Sequence, residues 1–134
     1  MIGIDSNILV RLFIEDDREQ AEAVVELFAK NGPRSIRVSQ VVMAETVWAL
    51  RRSYGRDKTS VVAALLLLFG REELVFEGRS TLLAALERYQ RGNADFADYL
   101  IAASNIDAGA VPTFTFDRKA STQPGFARLP TRTN

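Results

Sequence analysis

Short apolar runs alternate along the chain with longer stretches in which apolar residues recur every three or four positions. The short runs predict buried strands and the longer stretches predict amphipathic helices, a pattern typical of an α/β domain with a parallel sheet. Strands are predicted over 1–4, 34–38, 74–76 and 111–116, with an edge strand over 126–129. A helix is predicted after the first strand, entered through the capping residues Ser6-Asn7, and further helices are predicted over 16–30, 40–54, 57–69, 78–90 and 95–108.

The composition narrows the possible chemistry. At 134 residues the chain has the length of one domain, and its 17 basic and 17 acidic residues leave a formal charge of zero. It has no cysteine and no histidine. Disulfide frameworks, thiolate zinc sites, Ser-His-Asp triads and histidine-ligated metals are therefore excluded. Catalysis by this chain has to use carboxylates, hydroxyls, arginine, lysine or a hard cation held by oxygen.

Targeting signals are absent from the predicted pattern. The first residues meet an acid at Asp5 and contain no basic region, so they do not form a signal peptide. The longest apolar run, Val61 to Phe69, is nine residues, about half the length that a bilayer-spanning helix needs. We expect a cytoplasmic protein.

Two acids are predicted at the carboxyl ends of strands. Asp5 follows the first strand and Asp117 follows the strand over 111–116. Ligands bind at this edge of an open parallel sheet. An acid as close to the core as Asp5 needs a partner or a cation, although Asp5 can also be the N-cap of the next helix. Asp117 can also be a simple turn acid.

Two further acids lie within predicted helices. Glu45 has apolar residues three and four positions away on both sides, which predicts that it faces the sheet. Its alternative is a buried ion pair with arginine. Asp98 shares a helix face with Ile101 and Ala102, and can otherwise serve the helix dipole in the first turn. Asp95 is the natural N-cap of the same helix.

A parallel sheet can bring these four acids to one edge. Four carboxylates that close together need a cation, because like charges cannot all stay ionised in a partly dry pocket. All-oxygen coordination favours Mg²⁺ or Mn²⁺. Such an ion activates water and neutralises phosphoryl oxygens, so the substrate is expected to carry phosphate.

The same residues carry a resemblance to a known family. Ile4-Asp5-Ser6-Asn7, Ala44-Glu45-Thr46, Phe96-Ala97-Asp98-Tyr99 and Thr115-Phe116-Asp117 stand in order, with their acids separated by 40, 53 and 19 residues. This arrangement resembles the PIN domain, and more narrowly the VapC ribonuclease toxins of prokaryotic toxin–antitoxin operons.

The resemblance implies a three-layer α/β/α sandwich with one central parallel sheet of four to five strands, in a single domain over residues 1–134. It implies hydrolysis of RNA phosphodiesters by water activated on one or two Mg²⁺ ions, or Mn²⁺ in their place. Asp5, Glu45, Asp98 and Asp117 would be the catalytic metal ligands. Three polar residues would support the pocket: Asn7, Asp95 and Thr115. The implied partners are RNA, a cognate antitoxin and a second copy of the chain.

Fourteen of the seventeen basic residues are arginine, which favours bidentate phosphate contacts. Arg118 and Lys119, next to Asp117, are the predicted contacts to the RNA backbone. A second basic cluster consists of Arg51, Arg52 and Arg56. It can bind phosphate too, but its position at the end of a predicted helix also allows it to compensate the negative end of the helix dipole.

The sequence also allows other classes of function. Receiver domains and haloacid-dehalogenase-type phosphatases also gather acids around Mg²⁺. The former need paired acids at the first strand, where Asp5 is followed by Ser6, and the latter need an acid where Asn7 stands. A solitary RNA-processing nuclease and a non-catalytic interaction module are the remaining alternatives, the module leaving the four acids as helix caps and ion pairs.

Overall fold

The computed structural model describes residues 1–132, and its internal contacts divide the chain into a first unit, residues 1–79, and a second unit that begins at Ser80. Each unit contains strands and helices. This division does not test the prediction of one domain over the whole length, which stays a prediction.

A three-stranded parallel sheet organises the first unit. Its strands are β1 (Ile2–Gly3), β2 (Ile36–Val38) and β3 (Leu74–Phe76), in the order β1-β2-β3. Ile36 is opposite Ile2 on one side and Leu74 on the other. Strand β2 is the central strand of this sheet. Its residues Ile36 and Val38 are completely buried.

Helices connect these strands, as parallel pairing requires. They are α1 (Ser6–Val10), α2 (Arg18–Lys30), α3 (Gln40–Trp48) and α4 (Lys58–Phe69). All four begin after a side chain that accepts a backbone N–H from the first turn; these caps are Asp5, Asp17, Ser39 and Asp57. The predicted helix over 40–54 is thus present, but after Trp48 it continues as a π-helical turn, Ala49–Ser53.

The core of the first unit is built from apolar side chains of several elements. Six fully buried ones are Leu9, Ile36, Met43, Val61, Leu65 and Leu68. Helix α4 contributes half of these, and it carries no charge after Lys58. Its twelve residues are nevertheless short, and no helix in residues 1–132 combines the length and apolarity needed to cross a bilayer.

The second unit is mainly helical. It contains α5 (Arg79–Arg91, which begins at the last residue of the first unit), α6 (Phe96–Asp107), β4 (Thr113–Thr115), α7 (Arg118–Ser121) and β5 (Phe126–Arg128). The two strands pair in parallel, with Thr113 opposite Phe126. The core joins α5 to α6 through aromatic rings, because Tyr89 meets Phe96 edge-on at 5.8 Å between ring centroids.

The five predicted strands are all present, and the α/β class with parallel pairing is confirmed. The prediction of one central sheet with four to five strands is wrong for the described residues, in which three strands form one sheet and two form another. Periodicity marks which residues are extended, but it does not encode which strand lies beside which. That is why the number of strands was predictable and their grouping was not.

A buried tyrosine links two loops of the second unit. The Tyr99 hydroxyl accepts the Ala94 N–H at 3.2 Å and donates to the Gln123 side-chain oxygen at 2.9 Å. The Gln123 amide in turn donates to Asn93 at 3.2 Å. Gly92 lies directly against the tyrosine, and a Cβ added there would be 1.7 Å from the hydroxyl oxygen. Only glycine fits at this position.

We therefore expect Gly92→Ala to lower the free energy of unfolding by about 1–3 kcal/mol, the usual cost of overpacking a filled interior. Gly32→Ala is the matched control, because nothing lies within 4 Å of its added Cβ. Urea denaturation of both variants measures the difference. Adding Tyr99→Phe to Gly92→Ala should recover part of the loss, since it removes the clashing oxygen. Equal stability of the two single variants would contradict the observed packing.

Candidate active site

Asp5 lies at the junction between β1 and α1. The Oδ1 atom of Asp5 accepts the Ile8 N–H at 3.3 Å, so Asp5 is the N-cap of α1. The alternative prediction for Asp5, a helix N-cap, is thus confirmed. The expectation that Asp5 lies close to the core is wrong, because its side chain is exposed. The reason is that β1 is an edge strand of its sheet with both residues exposed. The second oxygen of Asp5 takes no hydrogen bond from the described residues.

Glu45 lies on an exposed face of α3. Its helical neighbours Val41 and Trp48 are 68% and 62% exposed, while Met43 and Val47 face the core. The prediction that Glu45 faces the sheet is therefore wrong. Helix α3 is apolar on nearly every side, so the spacing around Glu45 could not distinguish its buried face from its exposed one.

The other reading of Glu45, a buried ion pair with arginine, is also not observed, since Glu45 belongs to none of the ion pairs among residues 1–132. Its helix packs against α1, the helix that Asp5 caps. Asn7, the second residue of α1, is exposed. The first unit thus presents two solvent-accessible carboxylates on two helices in contact.

Asp98 lies half-buried in the first turn of α6. Burial raises the pKa of its carboxyl above the ordinary value, and the negative charges of Asp95 and Asp117 raise this pKa further. A hydrogen bond from the Asp95 backbone acts in the opposite direction and lowers the pKa. Asp95 and Asp117 therefore lie near enough to Asp98 for their charges to disfavour its ionisation.

Asp117 begins the short helix α7. Its Oδ1 accepts the Ala120 N–H at 3.1 Å, and its own N–H donates to the Thr115 hydroxyl at 3.0 Å. Asp117 is thus the N-cap of α7, a role that its sequence position did not predict, since this helix was itself not predicted. Thr115 holds the backbone of this turn in place. Asp95 is the N-cap residue of α6, as predicted, but its side chain makes no capping hydrogen bond.

The four predicted acids fall two in each unit. In the first unit, Asp5 and Glu45 stand on adjoining helices, and in the second unit Asp98 and Asp117 interact through their charges. Neither unit, over its described residues, gathers three or more carboxylates closely enough to hold a metal ion. The four-acid metal site stays a prediction. What sequence reasoning missed is the exposure of Trp48, for which an all-apolar helix gives no signal.

Basic side chains accompany both halves. Arg118 and Lys119 are exposed in α7, directly after Asp117, and neither belongs to an ion pair within residues 1–132. Arg51 donates to the carbonyl oxygen of Arg56 at 3.1 Å, at the C-terminal end of the π-helical turn. Arg51 and Arg52 lie in the last turn of this segment, which is the position that a compensating charge at a helix C-terminus requires.

Comparison with known proteins identifies the family. The sequence model of the PIN domain matches residues 2–125, a range that includes all four candidate acids. The chain belongs to the PIN-domain family. Among solved structures, this PIN-domain chain is similar to the Mycobacterium tuberculosis toxin VapC20, described as a sarcin-ricin loop cleaving toxin. The TM-score is 0.44 at 20% identity, over 91% of this chain and 94% of the other. No curated protein shows significant similarity.

The raised pKa of Asp98 leads to a prediction about stability. Ionising this carboxyl costs more in the folded chain than in the unfolded chain, so Asp98→Asn should raise the melting temperature at neutral pH. We expect a rise of at most about 3 °C, because solvent screens a half-buried group. The gain should shrink as the pH falls through the raised pKa, since the native carboxyl then takes up a proton itself.

Thermal unfolding of Asp98→Asn and the native chain, followed between pH 3 and 7, measures this effect. Glu87→Gln is the control, because Glu87 is an exposed acid of the same unit, paired with Arg91 at 2.9 Å. A lower melting temperature for Asp98→Asn at neutral pH, or a gain that persists under acid conditions, would contradict the assigned cause.

Proposed function

We propose that this PIN-domain protein is a Mg²⁺-dependent endoribonuclease that acts as the toxin of a toxin–antitoxin pair. The observation that carries the proposal is the match of the family over residues 2–125, with the acids Asp5, Glu45, Asp98 and Asp117 inside it. The absence of cysteine and histidine supports it further, because the chain then has only oxygen ligands to offer a catalytic metal.

The four acids are proposed as the ligands of Mg²⁺, with Mn²⁺ as a substitute. The donor set fits these ions, since all side-chain donors are carboxylate oxygens. Asp5 and Asp117 each use one oxygen for a cap, which leaves the second oxygen for a ligand. The repulsion that Asp95 and Asp117 exert on Asp98 supports a nearby cation, because a positive charge would relieve it.

When bound, Mg²⁺ lowers the pKa of a water molecule and neutralises charge on phosphoryl oxygens. The chain's own residues orient the acids. The Ile8 N–H holds Asp5, and the Thr115 hydroxyl fixes the turn that carries Asp117. Asn7 and Asp95 are proposed to support the pocket. Arg118 and Lys119 lie beside Asp117 and are proposed to bind the RNA phosphates.

The partners follow from the toxin assignment and belong to the same proposal. We propose a protein antitoxin that neutralises the nuclease, and a homodimer as the active form in the cytoplasm. A short reading frame upstream that encodes a DNA-binding antitoxin would support the pair. If it is missing, a solitary RNA-processing nuclease becomes the better reading.

The test of the nuclease replaces carboxylates by amides. Asp5→Asn and Asp117→Asn should each lower RNA cleavage by about a hundredfold or more through loss of a metal ligand. Both should fold normally, because asparagine caps helices as well as aspartate does. Glu45→Gln should lose activity to the same degree, whereas Glu26→Gln should not. Glu26 is likewise an exposed helical glutamate of the first unit, paired with Lys30 at 3.0 Å.

Cleavage of a labelled RNA by the purified proteins, together with growth arrest on overexpression, gives the readout. Native activity in purified Asp5→Asn or Glu45→Gln would refute the assignment of that residue. Absence of Mg²⁺ and Mn²⁺ binding by the native chain at millimolar concentration would instead support a non-catalytic interaction module.

A further inference from the structure

Trp48 is exposed on the same helix face as Glu45. It is the only tryptophan of the chain, lies one turn after Glu45 in α3, and leaves 62% of its surface accessible. A large aromatic ring gains free energy by leaving water, and an exposed ring offers an apolar face on which a planar group can stack. The core of the first unit does not use this ring, since α3 packs inward through Met43 and Val47.

Three arginines follow Trp48 closely in the sequence. Arg51 and Arg52 follow Trp48 by three and four residues, and Arg56 follows the π-helical turn. No acid occurs between Glu45 and Asp57, so residues 46–56 carry a charge of +3 in a chain whose formal charge is zero. Arg52 and Arg56 are exposed and form no ion pair within residues 1–132.

We propose that Trp48, flanked by Arg52, is a stacking platform that holds an unpaired base of single-stranded RNA. Aromatic faces stack on bases, and neighbouring arginines bind the phosphates of the same strand. This inference rests on the proposed function, because the nuclease assignment makes RNA the substrate. The inference adds Trp48 as the residue that holds a base near the carboxylate of Glu45. It also predicts that the chain binds single-stranded RNA more tightly than paired RNA.

A second protein chain is a weaker candidate for this face. A stable protein interface buries about 800 Å² on each partner and has an apolar centre. Here the exposed apolar residues Val41 and Trp48 are separated by the charged Glu45. Beyond Trp48 the chain continues with Arg52 and Arg56, which form no ion pair among the residues that the structure describes. An anionic strand complements this combination of ring and positive charge better than an apolar protein surface does.

The single tryptophan allows a direct test. We expect an unlabelled single-stranded RNA of about 12 nucleotides, added in EDTA to prevent cleavage, to quench the Trp48 fluorescence saturably. Trp48→Leu should weaken binding of the fluorescein-labelled RNA, followed by anisotropy, by roughly five- to a hundredfold, the range for loss of one stacked base. Trp48→Phe retains an aromatic face and should restore most of the affinity. The same sequence in duplex form should bind more weakly.

Arg52→Gln tests the flanking charge. It should lower the salt dependence of RNA binding by about one phosphate contact. Arg18→Gln is the matched control, because it removes the same charge from an exposed arginine of α2 that pairs with Glu22 at 3.2 Å. The control should leave the slope unchanged.

Several outcomes overturn the proposal. These are unchanged RNA affinity in Trp48→Leu, saturable RNA binding without quenching, or no RNA binding at all. A native dimer that becomes a monomer in Trp48→Leu, with fluorescence insensitive to RNA, would assign the face to a second copy of the chain. Failure of the nuclease is distinguishable: RNA that quenches Trp48 but is never cleaved with Mg²⁺ or Mn²⁺ would leave the platform intact and refute the enzyme.

Discussion

The capping hydrogen bond at the start of a helix is the constraint on which the candidate site depends. Asp5 and Asp117 each follow a strand closely and accept an N–H from the first turn of the next helix. A carboxylate that is fixed in this way keeps its position at the carboxyl end of a strand, where ligands of open α/β sheets bind. The caps and the proposed metal ligands are therefore the same residues, and the two roles support each other.

The arrangement has an energetic cost in the second unit. Asp98 is half-buried, and the charges of Asp95 and Asp117 add to the cost of its ionisation, which raises its pKa. Functional sites often retain such destabilising groups because their chemistry requires them. Asp98 is the group of this kind among the four proposed metal ligands, whereas the caps are a feature that ordinary helices also use.

The sequence predicted the elements well where a local signal exists. Capping residues and apolar spacing placed the helices over 18–30, 58–69 and 96–107 within two residues of their observed ends. The short helix after Asp117 was not predicted, because four residues are too few to show a period. The correct helices and the missed one have the same cause, because the signals for a helix lie in residues close to one another in the sequence.

Contacts between distant residues were not predictable in the same way. Helix α3 has apolar residues on nearly every side, so Glu45 was predicted to face the sheet, whereas it and Trp48 are exposed in the structure. The partners of β4 were likewise undefined by its pattern, and its Phe114 is 60% exposed. The N-cap role of Asp5 was among the alternatives that its sequence position allowed, whereas the N-cap role of Asp117 became visible only in three dimensions.

The most direct measurement is a double-mutant cycle of Mn²⁺ binding across Asp5 and Asp117, followed by calorimetry. If both carboxylates hold one ion, each single substitution to asparagine should abolish most of the affinity, and the double variant should lose little more. Effects that add independently, or a native chain that binds no Mn²⁺ at all, would contradict a shared metal site between acids so far apart in sequence.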